Sequence, residues 1–303
     1  MKVILWGLKN GNDSFKHIYT GFQDNFLHRG NELIWVTDHP SSVSAIDSGD
    51  LVIATDRQYS NLKLKAGAKY FTLNLDKTQG VGKQLWEYEN SYYMQEFTAD
   101  AFGSPDSQGS ICLFAQNIRT LFLPWGTPVF QENFDSFNVK RQENQDEYFV
   151  GSIWDNPEGQ GNKTKLREYS RVLEEFGVSF KRIGGNRWGR KGVSEFKSRD
   201  YVRKSRLGAA IVGNWQAQNS YYPCRLFKAV SSGMPPISNL DATRIFGDSL
   251  LFNPDVKVLT KMSLSEKPTD ALARLTAASE IVRDHYTYSA MISRILRVTN
   301  GEW

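Results

Sequence analysis

Short apolar runs alternate along the chain with amphipathic stretches of helical period, and that alternation predicts most of the architecture. Residues 2–6 form an apolar run of strand type, broken by the polar loop 7–13. Phe15, Ile18, Tyr19, Phe22 and Phe26 then recur at the spacing of one helix face, and Gly30 ends the helix. Runs at 33–37, 51–55 and 70–73 predict three further strands. Strand, loop, helix and strand in this rhythm make βαβ units, which imply a parallel sheet. Residues 79–109 show no clear period and predict irregular structure, and 120–124 predicts a strand.

The stretch 131–147 is polar, charged and poor in aliphatics, and reads as a linker. Beyond it the rhythm restarts. A strand at 148–154 and a Gly- and Asn-rich loop at 155–162 lead into a helix over 165–176, whose inner face is Leu166, Tyr169, Val172, Leu173 and Phe176. A strand at 179–183 follows, then a helix capped by Ser198 and ending at 204, then a buried strand at 207–212. Strands near 236–238 and 250–252 precede a helical segment over 268–298, with a bend at 285–288. The fold class predicted is α/β, with Rossmann-like βαβ domains at 1–140 and 141–284. A C-terminal helix, 285–303, returns to the first domain.

One stretch holds the most chemistry: YYPCRLFKAVSSGMPPIS, residues 221–238. Pro223 suits the first helical position, Gly233 suits a C′ stop, and Pro235 and Pro236 forbid continuation, which predicts about three helical turns. Arg225 and Lys228 fall in the opening turns, where two cations cost roughly 0.3–1 kcal/mol each unless something negative lies opposite. A phosphate or diphosphate relieves that conflict by taking the N–H groups and both side chains together. The competing reading is two side chains reaching into water.

Ligands of parallel sheets sit beyond the carboxyl ends of the strands. That makes the loop 7–13, Asp38 and Asp56 the site edge of the first half. Asp13 reads equally as a helix cap, and His17 as an ordinary helix-surface or packed side chain. The loop lacks G-x-G-x-x-G spacing, which argues against a dehydrogenase.

Composition narrows the classes further. The 303 residues are 40% hydrophobic and 13% aromatic, with eight Trp and a net charge of +4. This mildly basic balance suits anionic small molecules or an anionic acceptor without requiring nucleic acid. Cys112 and Cys224 are too few for a disulfide framework, and the four His have no metal-ligand spacing. No stretch reaches membrane-spanning length, so the expected location is cytoplasmic.

YPCRLFKAVSSGMPPIS resembles the donor-site helix of retaining GT-B glycosyltransferases, with Leu226, Phe227, Ala229, Gly233, Pro235 and Ile237 at the corresponding places. FVGSIW (149–154) resembles the first strand and phosphate-side turn of the donor domain, and LFLPWGTP (121–128) the interdomain crossing strand. The opening from Trp6 to Asp38 resembles the acceptor domain of a bacterial and viral branch, and HYTYSAMISRIL (285–296) the closing helix of spore-coat-type transferases. The resemblance implies two Rossmann-like domains facing a cleft and transfer of a sugar from a nucleoside-diphosphate sugar to a hydroxyl, on a saccharide or glycoconjugate. A nucleic-acid base is the alternative acceptor, and a non-enzymatic nucleotide- or sugar-binding protein the alternative function. Where retaining families carry a ribose-holding Glu, this chain has Lys228.

The implied donor site comprises Gly151, Ser152, Arg225 and Lys228, with Asn214, Gln216 and Tyr222 either orienting the sugar or base or serving as ordinary loop hydrogen bonders. Arg187 and Arg190 either reach phosphate or lie in a solvated loop. Asp13, His17 and Asp38 are the candidates to act on the acceptor hydroxyl, although in a retaining enzyme the leaving phosphate can take the proton. No Asp-x-Asp motif is present, and the expected enzyme needs neither metal nor cofactor beyond its donor.

Overall fold

The computed structural model describes residues 1–7, 9, 14–37, 44–55, 65–73, 91–95, 119–122, 124, 126–184, 193–218 and 221–300. The chain divides into two compact units, one made of Met1–Pro124 with Tyr288–Trp303, the other of Trp125–Thr287.

The first unit is a six-stranded parallel sheet. Its strands are β1 (Val3–Trp6), β2 (Leu33–Val36), β3 (Leu51–Thr55), β4 (Lys69–Leu73), β5 (Ser91–Gln95) and β6 (Arg119–Phe122), in the order β2-β1-β3-β4-β5-β6. Val3 pairs with Leu33 on one side and Leu51 on the other, so β1 is central. All four of its residues are buried, as a parallel strand covered on both faces requires. The crossover helix α1 (Ser14–His28) buries Ile18, Tyr19, Phe22 and Phe26, four of the five residues of the predicted face. β5 lies inside the stretch read as irregular. Its SYYMQ core has the aromatic content of a strand, too short for a period to emerge between polar and Gly-rich flanks.

The second unit builds its sheet from two parallel pairs and an extended segment between them. β7 (Asp146–Val150) pairs with β8 (Ser179–Ile183), and β9 (Ile237–Ser238) with β10 (Leu251–Phe252). Residues 207–212, predicted as a strand, form a single parallel bridge, Ala210 to Ser238, and with 205 and 206 join their neighbours largely through side chains. The Glu147 carboxylate accepts from the Leu207 N–H at 2.8 Å and the Gly208 N–H at 3.1 Å, and the Ser205 hydroxyl accepts from the Tyr148 N–H. On the other flank the Asn239 amide accepts from the Val212 N–H at 2.8 Å and donates to the Val212 carbonyl at 3.1 Å. Glu147 is 1% exposed. The segment read as a linker therefore ends in a core residue. Its earlier part is also held, because Asp135 pairs with Arg199 and Arg203 at 2.9 and 3.3 Å.

Helix α2 (Lys163–Glu175) buries Leu166, Tyr169, Val172 and Leu173, whereas Phe176 caps it and is exposed. Helix α3 (Glu195–Arg203) begins earlier than expected and is capped by Ser194, whose hydroxyl accepts from the Lys197 N–H, in place of Ser198. Then come α4 (Asn214–Gln218), α5 (Cys224–Ser231), α6 (Thr243–Phe246), α7 (Val256–Ser265) and α8 (Pro268–Ile281). The expected bend is a π-turn over Val282–Tyr286 followed by extended Thr287. Helix α9 (Tyr288–Thr299) then joins the first unit. Tyr288 stacks on Phe22 at 4.8 Å, and Arg29 donates to the Ser293 hydroxyl at 2.7 Å. No helix among the described residues is long and apolar enough to cross a membrane.

Candidate functional site

The site begins where β7 ends. Gly151 adopts φ +147°, and its N–H is spent on the Ile183 carbonyl at 3.2 Å. That amide is engaged in the sheet, whereas the Ser152 N–H has no backbone partner among the described residues. The contribution of Gly151 is space: a β-carbon there would stand 2.6 Å from Nη2 of Arg225. Ser152 is exposed, and its carbonyl accepts from Asn162 Nδ2 at 3.1 Å. Asn162 also accepts from the Trp154 N–H at 2.9 Å, and is 4% exposed. One buried amide thus fixes both ends of the loop.

Two glycines bring the next element close. A β-carbon on Gly213 would meet the Gly161 carbonyl carbon at 2.4 Å, so the chain leaving 212 crosses the loop backbone to backbone. At this crossing Gln216 accepts from the Gly213 N–H at 3.2 Å, which commits it to holding the turn. Asn214 is exposed, and Tyr222 is 2% exposed, a core side chain.

Helix α5 has eight residues, two turns in place of the expected three, because Pro223 precedes it as an extended N-cap residue (φ −71°, ψ 143°) and Gly233 turns the chain at φ +77°. This changes the electrostatics. Arg225 lies in the first turn but Lys228 in the last, where a cation meets the favourable end of the helix dipole. Lys228 Nζ is also 2.6 Å from Glu195 Oε2 on α3. Burial works against its charge, but the neighbouring Cys224 and Glu195 hold the ammonium above its ordinary value. The dipole conflict inferred for two cations therefore rests on Arg225 alone.

The Arg225 guanidinium lies 3.8 Å above the Phe149 ring and donates to the carbonyls of Val150 (3.3 Å) and Ile211 (3.5 Å). No carboxylate pairs with it among the described residues. Burial lowers it to about 10, so it is charged at neutral pH, with Cys224 and Tyr221 acting in the opposite direction. The N–H groups of Cys224 and Arg225, at the open end of α5, carry no hydrogen bond among the described residues. A desolvated guanidinium and two unused amides at one helix terminus form an anion-binding arrangement.

The structure thus brings Gly151, Ser152, Arg225 and Lys228 into one region of the second unit. Glu195 escaped the sequence reading, since nothing local marks a carboxylate 33 positions from its partner. In the first unit Gly7 ends β1 at the switch point between β1 and β3, where the strand order reverses. Asp13, Asp38, Arg187 and Arg190 lie outside the described residues, as does the side chain of His17. Among the described residues no group of three or more His, Cys, Asp or Glu could hold a metal ion.

No family model and no curated protein matches the sequence. Solved structures do. An α-glucosyltransferase in complex with UDP and a 13-mer DNA with a central A:G mismatch is similar over 99% of this chain and 100% of its own, with TM-score 0.64 at 10% identity. The DNA-modifying β-glucosyltransferase, with and without uridine diphosphoglucose, is similar over 99% of both chains, with TM-score 0.56 at 10% identity. The trehalose-6-phosphate synthase OtsA is similar over 99% of both chains, with TM-score 0.63 at 8% identity. Each of these likenesses covers nearly the whole chain, and its fold is the α/β GT-B fold.

Proposed function

We propose that the chain is a glycosyltransferase that moves a sugar from a nucleoside-diphosphate sugar to a hydroxyl, on a saccharide or glycoconjugate acceptor. The observation that carries this reading is Arg225. A guanidinium with no carboxylate partner among the described residues, held over Phe149 and beside Gly151 in the first turn of α5, is placed to meet a diphosphate. In the reaction the bond from the sugar to the β-phosphate oxygen breaks and a bond to the acceptor oxygen forms. Negative charge grows on the diphosphate, which Arg225 and the α5 amides stabilise. The acceptor proton leaves to the departing phosphate or to Asp13, His17 or Asp38. Lys228 assists once the donor competes with Glu195 for it. Cationic side chains do this work without a metal ion. Cys224 is a free thiol, which suits a reducing, cytoplasmic setting.

UDP-glucose is the first donor to test, because structural neighbours are described with UDP or uridine diphosphoglucose. Thermal unfolding with UDP, GDP, CDP, TDP and ADP in EDTA should show one nucleotide stabilising the protein by roughly 2.7 kcal/mol at about 100 times its Kd. Stabilisation by none, in EDTA or with Mg²⁺, overturns the donor site. Transfer or slow hydrolysis of the matching nucleotide sugar distinguishes an enzyme from a binding protein on the same scaffold.

One feature favours a nucleic-acid acceptor as second reading. Residues 181–206 carry ten Lys and Arg against two Asp and Glu. Several are engaged, Lys181 with Asp146 and Arg199 and Arg203 with Asp135. Acceptor binding that weakens steeply and log-linearly with salt would favour DNA over a neutral saccharide.

A further inference from the structure

At the other end of β7 from Gly151 lies a second group of arginines, outside the donor site. Arg141 is 3% exposed, yet its Nε and Nη1 atoms have no hydrogen-bond partner among the described residues. Its nearest carboxylate oxygen, Glu266 Oε2, is 3.9 Å from Nη2, beyond hydrogen-bonding distance. Its guanidinium lies 4.8 Å from the Phe137 ring centre. The turn carrying Arg141 is tied to the chain before Arg206, because Asn144 Nδ2 donates to the Ser205 carbonyl at 3.5 Å and the Arg206 N–H donates to the Asp146 carbonyl at 2.8 Å. The half-buried Arg206 side chain makes no hydrogen bond or ion pair among the described residues.

The two carboxylates that could neutralise this cluster are committed elsewhere. Glu266 is held bidentately by Arg274 at 2.7 and 2.9 Å, and Arg274 also donates to the carbonyls of Pro236 and Ser249. Glu147 accepts from the Tyr169 hydroxyl and from the Leu207 and Gly208 amides. Arg141, 3.9 Å from Glu266, thus shares that charge with Arg274, and Arg206 has no ion pair among the described residues, so the cluster holds more positive than negative charge, which is costly when buried. Burial lowers Arg141 to about 10; Glu266 and Glu147 oppose this, and Arg274 and Arg206 add to it.

We propose that Arg141 and Arg206 form an internal binding site for a small inorganic anion, entered from the Arg206 side and separate from the donor site. The anion takes the unused Nε and Nη1 donors of Arg141 and supplies the missing negative charge. Such a site makes the stability of the second unit depend on anion concentration, independently of any nucleotide.

The test is thermal unfolding of the full chain at fixed ionic strength, with chloride or inorganic phosphate replacing gluconate. In the wild type Tm should rise and saturate with at least one of the two, by about 5 °C at roughly 100 times its Kd. In Arg206→Gln, which breaks no hydrogen bond, the apparent Kd should weaken at least tenfold. Arg141→Met should abolish the response and unfold at a higher temperature than the wild type does in gluconate. A wild-type Tm unmoved by both anions, or the same saturating response in Arg206→Gln, overturns the proposal.

Discussion

Gly151 and Arg225 share one volume: a β-carbon on the first would stand 2.6 Å from Nη2 of the second. The guanidinium cannot simply retreat, because Phe149 lies beneath it and the carbonyls of Val150 and Ile211 hold its other nitrogens. Gly151→Ala should therefore displace Arg225 from the position inferred to meet the diphosphate. The expected result is at least a tenfold rise in nucleotide Kd, about 1.4 kcal/mol. The positive φ adds a stability loss of about 1 kcal/mol. Calorimetric titration with the nucleotide and thermal unfolding of the same protein separate the two effects.

Arg225→Lys keeps the charge and loses the planar fork. An ammonium cannot cover the Phe149 ring while donating to two carbonyls and still presenting a donor to phosphate. Transfer activity should fall about 100-fold, the scale of losing one preorganised donor to a developing charge. The fall should appear in kcat more than in KM, because that charge is greatest in the transition state. Steady-state kinetics on the variant provide the check. Activity within a few-fold of wild type would mean that Arg225 is only a packing residue.

Periodicity carried the reading of the fold where burial follows a regular face. Ile18, Tyr19, Phe22 and Phe26 in α1, Leu166, Tyr169, Val172 and Leu173 in α2, and the strand at 51–55 all lie where their spacing places them. It failed where a polar residue has an interior task. Glu147 reads as the end of a linker because nothing around it announces three donors contributed by Tyr169, Leu207 and Gly208. Helix α5 was legible through Pro223, Gly233 and Pro235, but its electrostatics were not. Whether Lys228 opposes or favours the dipole depends on which residue starts the helix, and its charge balance depends on Glu195 from a different helix.

Glu195 sets how available Lys228 is to an anion. Glu195→Gln releases the ammonium, so nucleotide diphosphate should bind about three- to tenfold tighter, while the protein loses about 1 kcal/mol of stability with the pair. The pH dependence identifies the pair. A lysine whose folded pKa is raised contributes stability that is fully present below its unfolded value, about 10.4, and is lost as pH rises through the folded one. The Tm gap between wild type and Glu195→Gln should therefore be level through pH 7–9 and close above about pH 10. A gap that persists to the highest pH would mean that Glu195 acts through something other than the Lys228 charge.

Glu147 joins β7 to the segment 205–212, and its carboxylate is the acceptor for donors on both sides. Glu147→Gln keeps the shape but turns one acceptor oxygen into a donor among donors, at a cost of about 2 kcal/mol. Burial raises the Glu147 carboxyl above its usual range, while the Leu207, Gly208 and Tyr169 hydrogen bonds act to lower it. An acid with a raised folded pKa holds its proton more tightly in the native state than in the unfolded chain. Its contribution to stability therefore declines as pH rises from the unfolded value, about 4.3, to the folded one, and is level above that. Glu147→Gln cannot titrate and lacks this slope, so the stability difference from wild type should be larger on the acid side of that window than above it. Urea unfolding of both proteins from pH 4 to pH 8 measures this directly. A difference that instead widens as pH rises would show that the ionised carboxylate is the form the fold prefers, its amide bonds outweighing its burial.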